Sequence, residues 1–125
     1  MTKWVYRGLS IRGRKYCFQI TGGCHSTDAM LKVLYDEIEI LHQQNEKVLV
    51  MANYNDCSPT GEYFHAVKKF GKETLKAKTS KTATIGINGV KRLLFNTYIS
   101  FTGDYHVRLF NDEETALEWL ISRYL

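Results

Sequence analysis

The segment Lys47-Val48-Leu49-Val50-Met51-Ala52 constrains the fold more than any other. Its apolar residues follow one another without a polar face. A strand made of them must be covered on both sides, as the strands of a parallel sheet are. Thr82-Ala83-Thr84-Ile85-Gly86-Ile87 has the same character and ends at the turn formers Asn88-Gly89.

Helical periodicity fills the intervals. Ser26 or Thr27 can cap a helix running to about Asn45, with Asp28 in its first turn. Its inner stripe is Leu31, Leu34, Ile38 and Leu41, broadened by Met30 and Val33. Lys32, Asp36, Glu39 and Gln43 lie opposite. A second helix is expected over roughly 59–78, with Ser58 as cap and Pro59 at the first helical position, where a missing N–H costs nothing. Phe64, Val67, Phe70 or Gly71, and Leu75 face inward. A third helix spans about Val90 to Tyr98, with Leu93 and Leu94 buried and Lys91 and Arg92 outward.

The ends complete the pattern. Val5–Ile11 and Tyr16–Ile20 read as strands joined by a hairpin loop, Arg12-Gly13-Arg14-Lys15. Tyr105–Phe110 alternates as a strand. Asn111 or Asp112 caps a last helix with Ala116, Leu117, Leu120, Ile121 and Tyr124 inside and Arg123 near its C-terminus. The expected fold is α/β: one domain over residues 1–125, with a mixed, mostly parallel sheet of about five strands, an antiparallel N-terminal hairpin and about four helices. Right-handed crossovers would join the parallel strands.

Composition narrows the function classes. No apolar run approaches the roughly 20 residues a membrane span needs, and the N-terminus lacks the apolar stretch of a signal peptide. The three cysteines, an odd number without a Cys-x-x-Cys pair, fit reduced thiols in the cytoplasm. The net charge is +4, and the six lysines between 68 and 81 (Lys68, Lys69, Lys72, Lys76, Lys78, Lys81) read as a solvated helix face. Only Phe70 is interleaved with them, so no nucleic-acid partner is expected.

The candidate chemistry is sparse. His25, His42, His65 and His106 fall on different elements without an i, i+4 pair, so no metal or other cofactor is expected. Cys57 follows a strand and precedes a helix, where the dipole could lower its pKa, yet cysteine is among the most often buried residues and a packed, inert thiol is the expectation. Thr21–Thr27 could turn backbone N–H groups toward an anion, but it has neither the Walker nor the Gly-x-Gly-x-x-Gly spacing. No catalytic residue is assigned, and an enzyme is not expected.

Asn55-Asp56-Cys57-Ser58-Pro59-Thr60-Gly61 is the most suggestive stretch, because ligands and partners of open α/β sheets dock at the carboxyl ends of strands. Ser58 and Thr60 are hydroxyls at a helix start, where phosphorylation would add charge against the dipole.

In these features the chain resembles the STAS-type fold of anti-sigma-factor antagonists, particularly the SpoIIAA-like branch, over roughly residues 16 to 125. The resemblance rests on Lys47–Met51 leading into a polar loop and helix, and on Thr82–Ile87 followed by Val90–Leu94. The stretch Val107–Leu120 carries it furthest. It implies a cytoplasmic regulatory module that binds another protein instead of turning over a substrate. In the antagonists a serine directly after an aspartate at the start of the second helix is phosphorylated. Here Asp56 is followed by Cys57, and Ser58 precedes Pro59.

The expected working residues are Asp56, Cys57, Ser58, Thr60 and Gly61, with Gly22 to Thr27 adjoining. A homodimer is a further expectation. Two alternatives stay open: a binder of an amphipathic or lipid-like ligand lined by Tyr54, Phe64, Phe95 and Phe101, and an enzyme using Cys57.

Overall fold

The computed structural model describes residues 3–11, 14–20, 26–70, 73–74, 76–98 and 107–122. In chain order these form β1 (Lys3–Ile11), β2 (Arg14–Ile20), α1 (Thr27–His42), β3 (Val48–Asn53) and α2 (Gly61–Phe70). Then come α3 (Lys76–Lys78), β4 (Thr79–Ile85), α4 (Gly89–Tyr98), β5 (Val107–Phe110) and α5 (Glu113–Ile121).

One sheet runs β1-β2-β3-β4-β5 in space. β1 pairs antiparallel with β2, and the successive pairs from β2 to β5 are parallel. The expected α/β class stands. Among the described residues there are five helices, one more than expected, the addition being the single turn α3.

From β2 onward each strand joins the same edge of the sheet. Right-handed crossovers that always advance in one direction deliver every helix to the same face. α1, α2 and α4 accordingly share one face, where Met30, Leu34, Ile38 and Leu41 meet Val48, Val50 and Ala52 of β3, Tyr63 and Phe64 of α2, and Phe95 of α4. α5 has no further strand to feed and folds onto the other face. There Ala116 and Leu120 pack on Leu49, Met51, Ala83 and Ile85. The apolar run of β3 thus divides its residues alternately between two cores, the burial its composition demands.

Several boundaries differ from expectation. α2 begins at Gly61, two residues beyond Pro59, and ends at Phe70 instead of reaching 78. The next residue in sequence is glycine, the weakest helix former after proline. β4 begins at Thr79, so Lys81 is a strand residue and not part of a solvated helix face. It is 1% exposed. Its Nζ donates to the Trp119 carbonyl at 2.8 Å, the Ser122 carbonyl at 3.0 Å and Ser122 Oγ at 2.9 Å. The ammonium therefore sits at the negative end of α5, over the Trp119 ring.

On α4, Leu93 is exposed and Phe95 takes the inner position, while Lys91 turns inward. On α1, Leu31 is half-buried and the inner stripe includes Glu37. Ser26 and Asp112 cap α1 and α5, accepting from Ala29 N and Thr115 N. The backbone N–H of Thr115, bonded to Asp112, holds that carboxyl below its ordinary pKa. The expected roles of Arg12 and Gly13 in the hairpin loop, and of Lys72, Leu75, Tyr105, Arg123 and Tyr124, fall outside the described residues.

Candidate functional site

At the carboxyl end of β3 the chain turns sharply. Asn53 Oδ1 accepts from Asn55 N at 2.9 Å, a local turn that frees the chain from the sheet. Asp56 takes a positive φ of 54°, which aspartate tolerates better than most residues. Cys57 then returns inward, with Sγ donating to the Tyr54 carbonyl at 2.8 Å. Pro59 is buried, and Thr60 starts α2.

Thr60, not Ser58, caps that helix. Its Oγ1 accepts from Tyr63 N at 3.3 Å, and its carbonyl accepts from Phe64 N at 3.1 Å. The same hydroxyl meets Thr27 Oγ1 at 3.0 Å, tying the first turn of α2 to that of α1.

The loop after β4 braces the loop after β3. Tyr54 N donates to Ile85 O at 2.9 Å. Gly86, at φ +82°, lies so close that a Cβ there would stand 2.4 Å from Asn55 N. Only glycine combines that φ with that approach. Lys91 Nζ, expected to face solvent, instead donates to Tyr54 O at 3.1 Å and Gly86 O at 3.3 Å. It joins the start of α4 to both loops.

Beneath the loops lies a buried polar group. Tyr54 and Tyr63 share a hydroxyl–hydroxyl hydrogen bond of 2.7 Å. Glu37 of α1 is 5% exposed. Burial pushes its carboxyl from the ordinary 4.5 up to about 8, so it is protonated at neutral pH. Burial, and after it the neighbouring Tyr54, raise the Tyr63 hydroxyl above its ordinary value.

The five expected site residues therefore divide. Asp56 and Ser58 are exposed on the loop, Thr60 and Gly61 are half-buried at the helix start, and Cys57 belongs to the core. Cys57 is 3% exposed, and its thiol is engaged with the Tyr54 carbonyl. Tyr54, Phe64 and Phe95, expected as pocket lining, stack on one another in the core instead, Phe64 against both Tyr54 and Phe95 at 6.0 Å between centroids. Phe101 and the segment Thr21 to His25, which contains Gly22, Gly23 and Cys24, fall outside the described residues.

Among the described residues no three of histidine, cysteine, aspartate and glutamate come together as a metal site. His42 meets Thr74 Oγ1 at 3.2 Å, His65 is exposed, and His25 and His106 are outside the described residues. Also among the described residues, no helix is long and apolar enough to cross a membrane.

Sequence reasoning missed Glu37, Lys91 and the outward pair Val90 and Leu93. Helical spacing carried the first signal, since Glu37 lies three residues after Leu34 and four after Val33. Lys91 and Leu93 required knowing that Phe95 fixes the rotation of α4.

Comparison of the chain with protein-family models, curated proteins and solved structures finds no match.

Proposed function

We propose that the chain is a STAS-like regulatory module that works in the cytoplasm by binding another protein. The contact surface is the braced pair of loops at the carboxyl ends of β3 and β4. One observation carries this reading: Gly86, Lys91 and Thr60 fix the backbone of residues 54–60, and that rigid frame presents Asp56 and Ser58 outward. A preorganised exposed loop binds without paying the ordering entropy that a flexible one would.

The strand order adds support. Ligand crevices of open α/β sheets form where successive crossovers part to opposite faces. Here α1, α2 and α4 stay together on one face, so the loops form a continuous ledge, a shape suited to a macromolecular partner.

Ser58 is the regulatory hydroxyl. A phosphate there would place about two negative charges beside Asp56 and near Glu62, converting the ledge into an acidic surface. Quantitative capture by wild type, Ser58→Ala and Ser58→Glu tests the reading. The glutamate variant is expected to lose or exchange a partner that wild type and Ser58→Ala retain. Equal retention by all three removes this ledge from the interaction.

A further inference from the structure

Charge is segregated along the chain. Residues 1–27 hold five basic side chains, Lys3, Arg7, Arg12, Arg14 and Lys15, and no acidic one. All but Arg12 belong to β1 and β2. α5 and its cap are the reverse, with Asp112, Glu113, Glu114 and Glu118 and no lysine or arginine.

Register places part of the basic hairpin on the face of the sheet that carries α5. Tyr16 and Phe18 of β2 pair with Leu49 and Met51 of β3, which face α5. Positions paired across strands share a face, and every second position of a strand returns to it. Arg7 pairs with Tyr16, Val5 with Phe18 and Lys3 with Ile20, and Arg14 stands two residues before Tyr16. This face of the hairpin therefore combines basic and apolar positions. The contacts of α5 lie on β3, β4 and β5, where Ala116 and Leu120 meet Leu49, Met51, Ala83 and Ile85, and Trp119 stacks on Phe110.

Glu114 and Glu118 stand on the side of α5 away from its own sheet. Each is two residues, about 200° of helix, from an inward residue, Ala116 or Leu120. Both are exposed, and among the described residues neither forms an ion pair. They point away from the basic positions of their own hairpin.

We infer that two copies of the chain pack face to face, the α5 helix of each covering the β1–β2 hairpin of the other. Glu114 and Glu118 of one copy meet Lys3, Arg7 and Arg14 of the second, and the two-fold axis repeats the contact. The layer between the sheets then holds two helices, one from each copy, and each five-stranded sheet is covered across its width. Parallel strands require a cover on both faces, and a two-fold contact requires complementary patches on a single surface. Charge selects this arrangement over hairpin on hairpin, which would set arginine against arginine. The inference makes no use of the loops that present Ser58 and stands or falls apart from that reading.

Sedimentation equilibrium of the full chain tests it at about 100 μM, where a dimer with a Kd below about 10 μM is mostly assembled. The wild type is expected at about twice the 14.5 kDa mass of one chain. It is expected to dissociate as salt rises from about 50 to about 500 mM. Glu114→Arg with Glu118→Arg, and separately Arg7→Glu with Arg14→Glu, are each expected to raise the Kd by about a hundredfold or more. An equimolar mixture of these two variants restores opposite charges at both symmetric contacts and is expected to regain the dimer. Mixing does not repair a misfolded variant, and circular dichroism of each variant verifies its fold.

A monomeric wild type overturns the inference. Retention of a single-stranded RNA that Arg7→Glu with Arg14→Glu loses would then assign the hairpin to nucleic acid. A dimer that either pair of reversals leaves intact overturns the inference as well, as does a mixture of folded variants that stays monomeric.

Discussion

Replacing Glu37 by glutamine should make the protein more stable, and increasingly so as the pH rises. In the folded chain the carboxyl is 5% exposed, and it releases its proton only near pH 8 instead of at the ordinary 4.5. Between those two values the unfolded chain has shed the proton and the folded chain still holds it. The unfolded state then binds fewer protons, so stability falls with rising pH. The contribution of this group is complete below the unfolded pKa and is lost as the pH climbs through the folded one.

Each pH unit in that interval costs about 1.4 kcal/mol, and the whole interval about 5 kcal/mol. Glutamine is nearly isosteric and carries no proton to lose. Near pH 7 the variant should therefore exceed wild type by about 3 kcal/mol, and near pH 5 by less than about 1 kcal/mol. Urea unfolding followed by far-UV circular dichroism at several pH values between these limits measures the difference directly. A difference that stays constant with pH, or one that shrinks as the pH rises, would refute the placement of a protonated Glu37 in the core.

Gly86→Ala should destabilise the fold by about 3 kcal/mol or more, because the added Cβ meets the backbone of Tyr54 and Asn55 at a positive φ. Gly89→Ala, with open space around it, should cost only about 1 kcal/mol of backbone strain; equal midpoints for the two variants in urea would contradict the close approach. Thr60→Ala should cost about 1 kcal/mol through loss of the α2 cap, with Thr60→Ser recovering most of it; no loss on thermal melting would return the cap to Ser58. Cys57 should react with a thiol reagent at least about a hundredfold more slowly in the native protein than in urea, and comparable rates would place the thiol at the surface.

The α/β class was legible because the apolar runs of β3 and β4 leave a strand no solvent face, and the helices between them keep a clear period. The lysines misled in two ways. Lys81 marks a polar boundary in sequence, yet it occupies a strand position whose aliphatic stem is buried and whose ammonium reaches the end of α5, thirty-eight and forty-one residues away. No local pattern encodes a partner at that separation. The remaining lysines extended the apparent helix beyond Phe70.

The loop after β3 was visible as the candidate site, but its construction was not. Thr60 displaced Ser58 as cap because Pro59 is buried instead of opening the helix. The packed thiol of Cys57 followed from cysteine's preference for interiors, while the turn at Asp56 that carries it inward did not. The apolar exposure of Leu93 followed only from the stacking of Phe95 on Phe64. Leu93 and Leu94 stand about 100° apart on the helix, and the sequence does not say that only Leu94 turns toward the core.

Site-specific photocrosslinking in cells tests the central claim most directly. A photoreactive phenylalanine analogue is placed in turn at Ser58 and at Glu118, which lies exposed on α5 over the opposite face of the sheet. A binding surface on the loops predicts an adduct with a different protein from position 58 and none from 118. Such adducts from 118 alone, or from both positions equally, would contradict it.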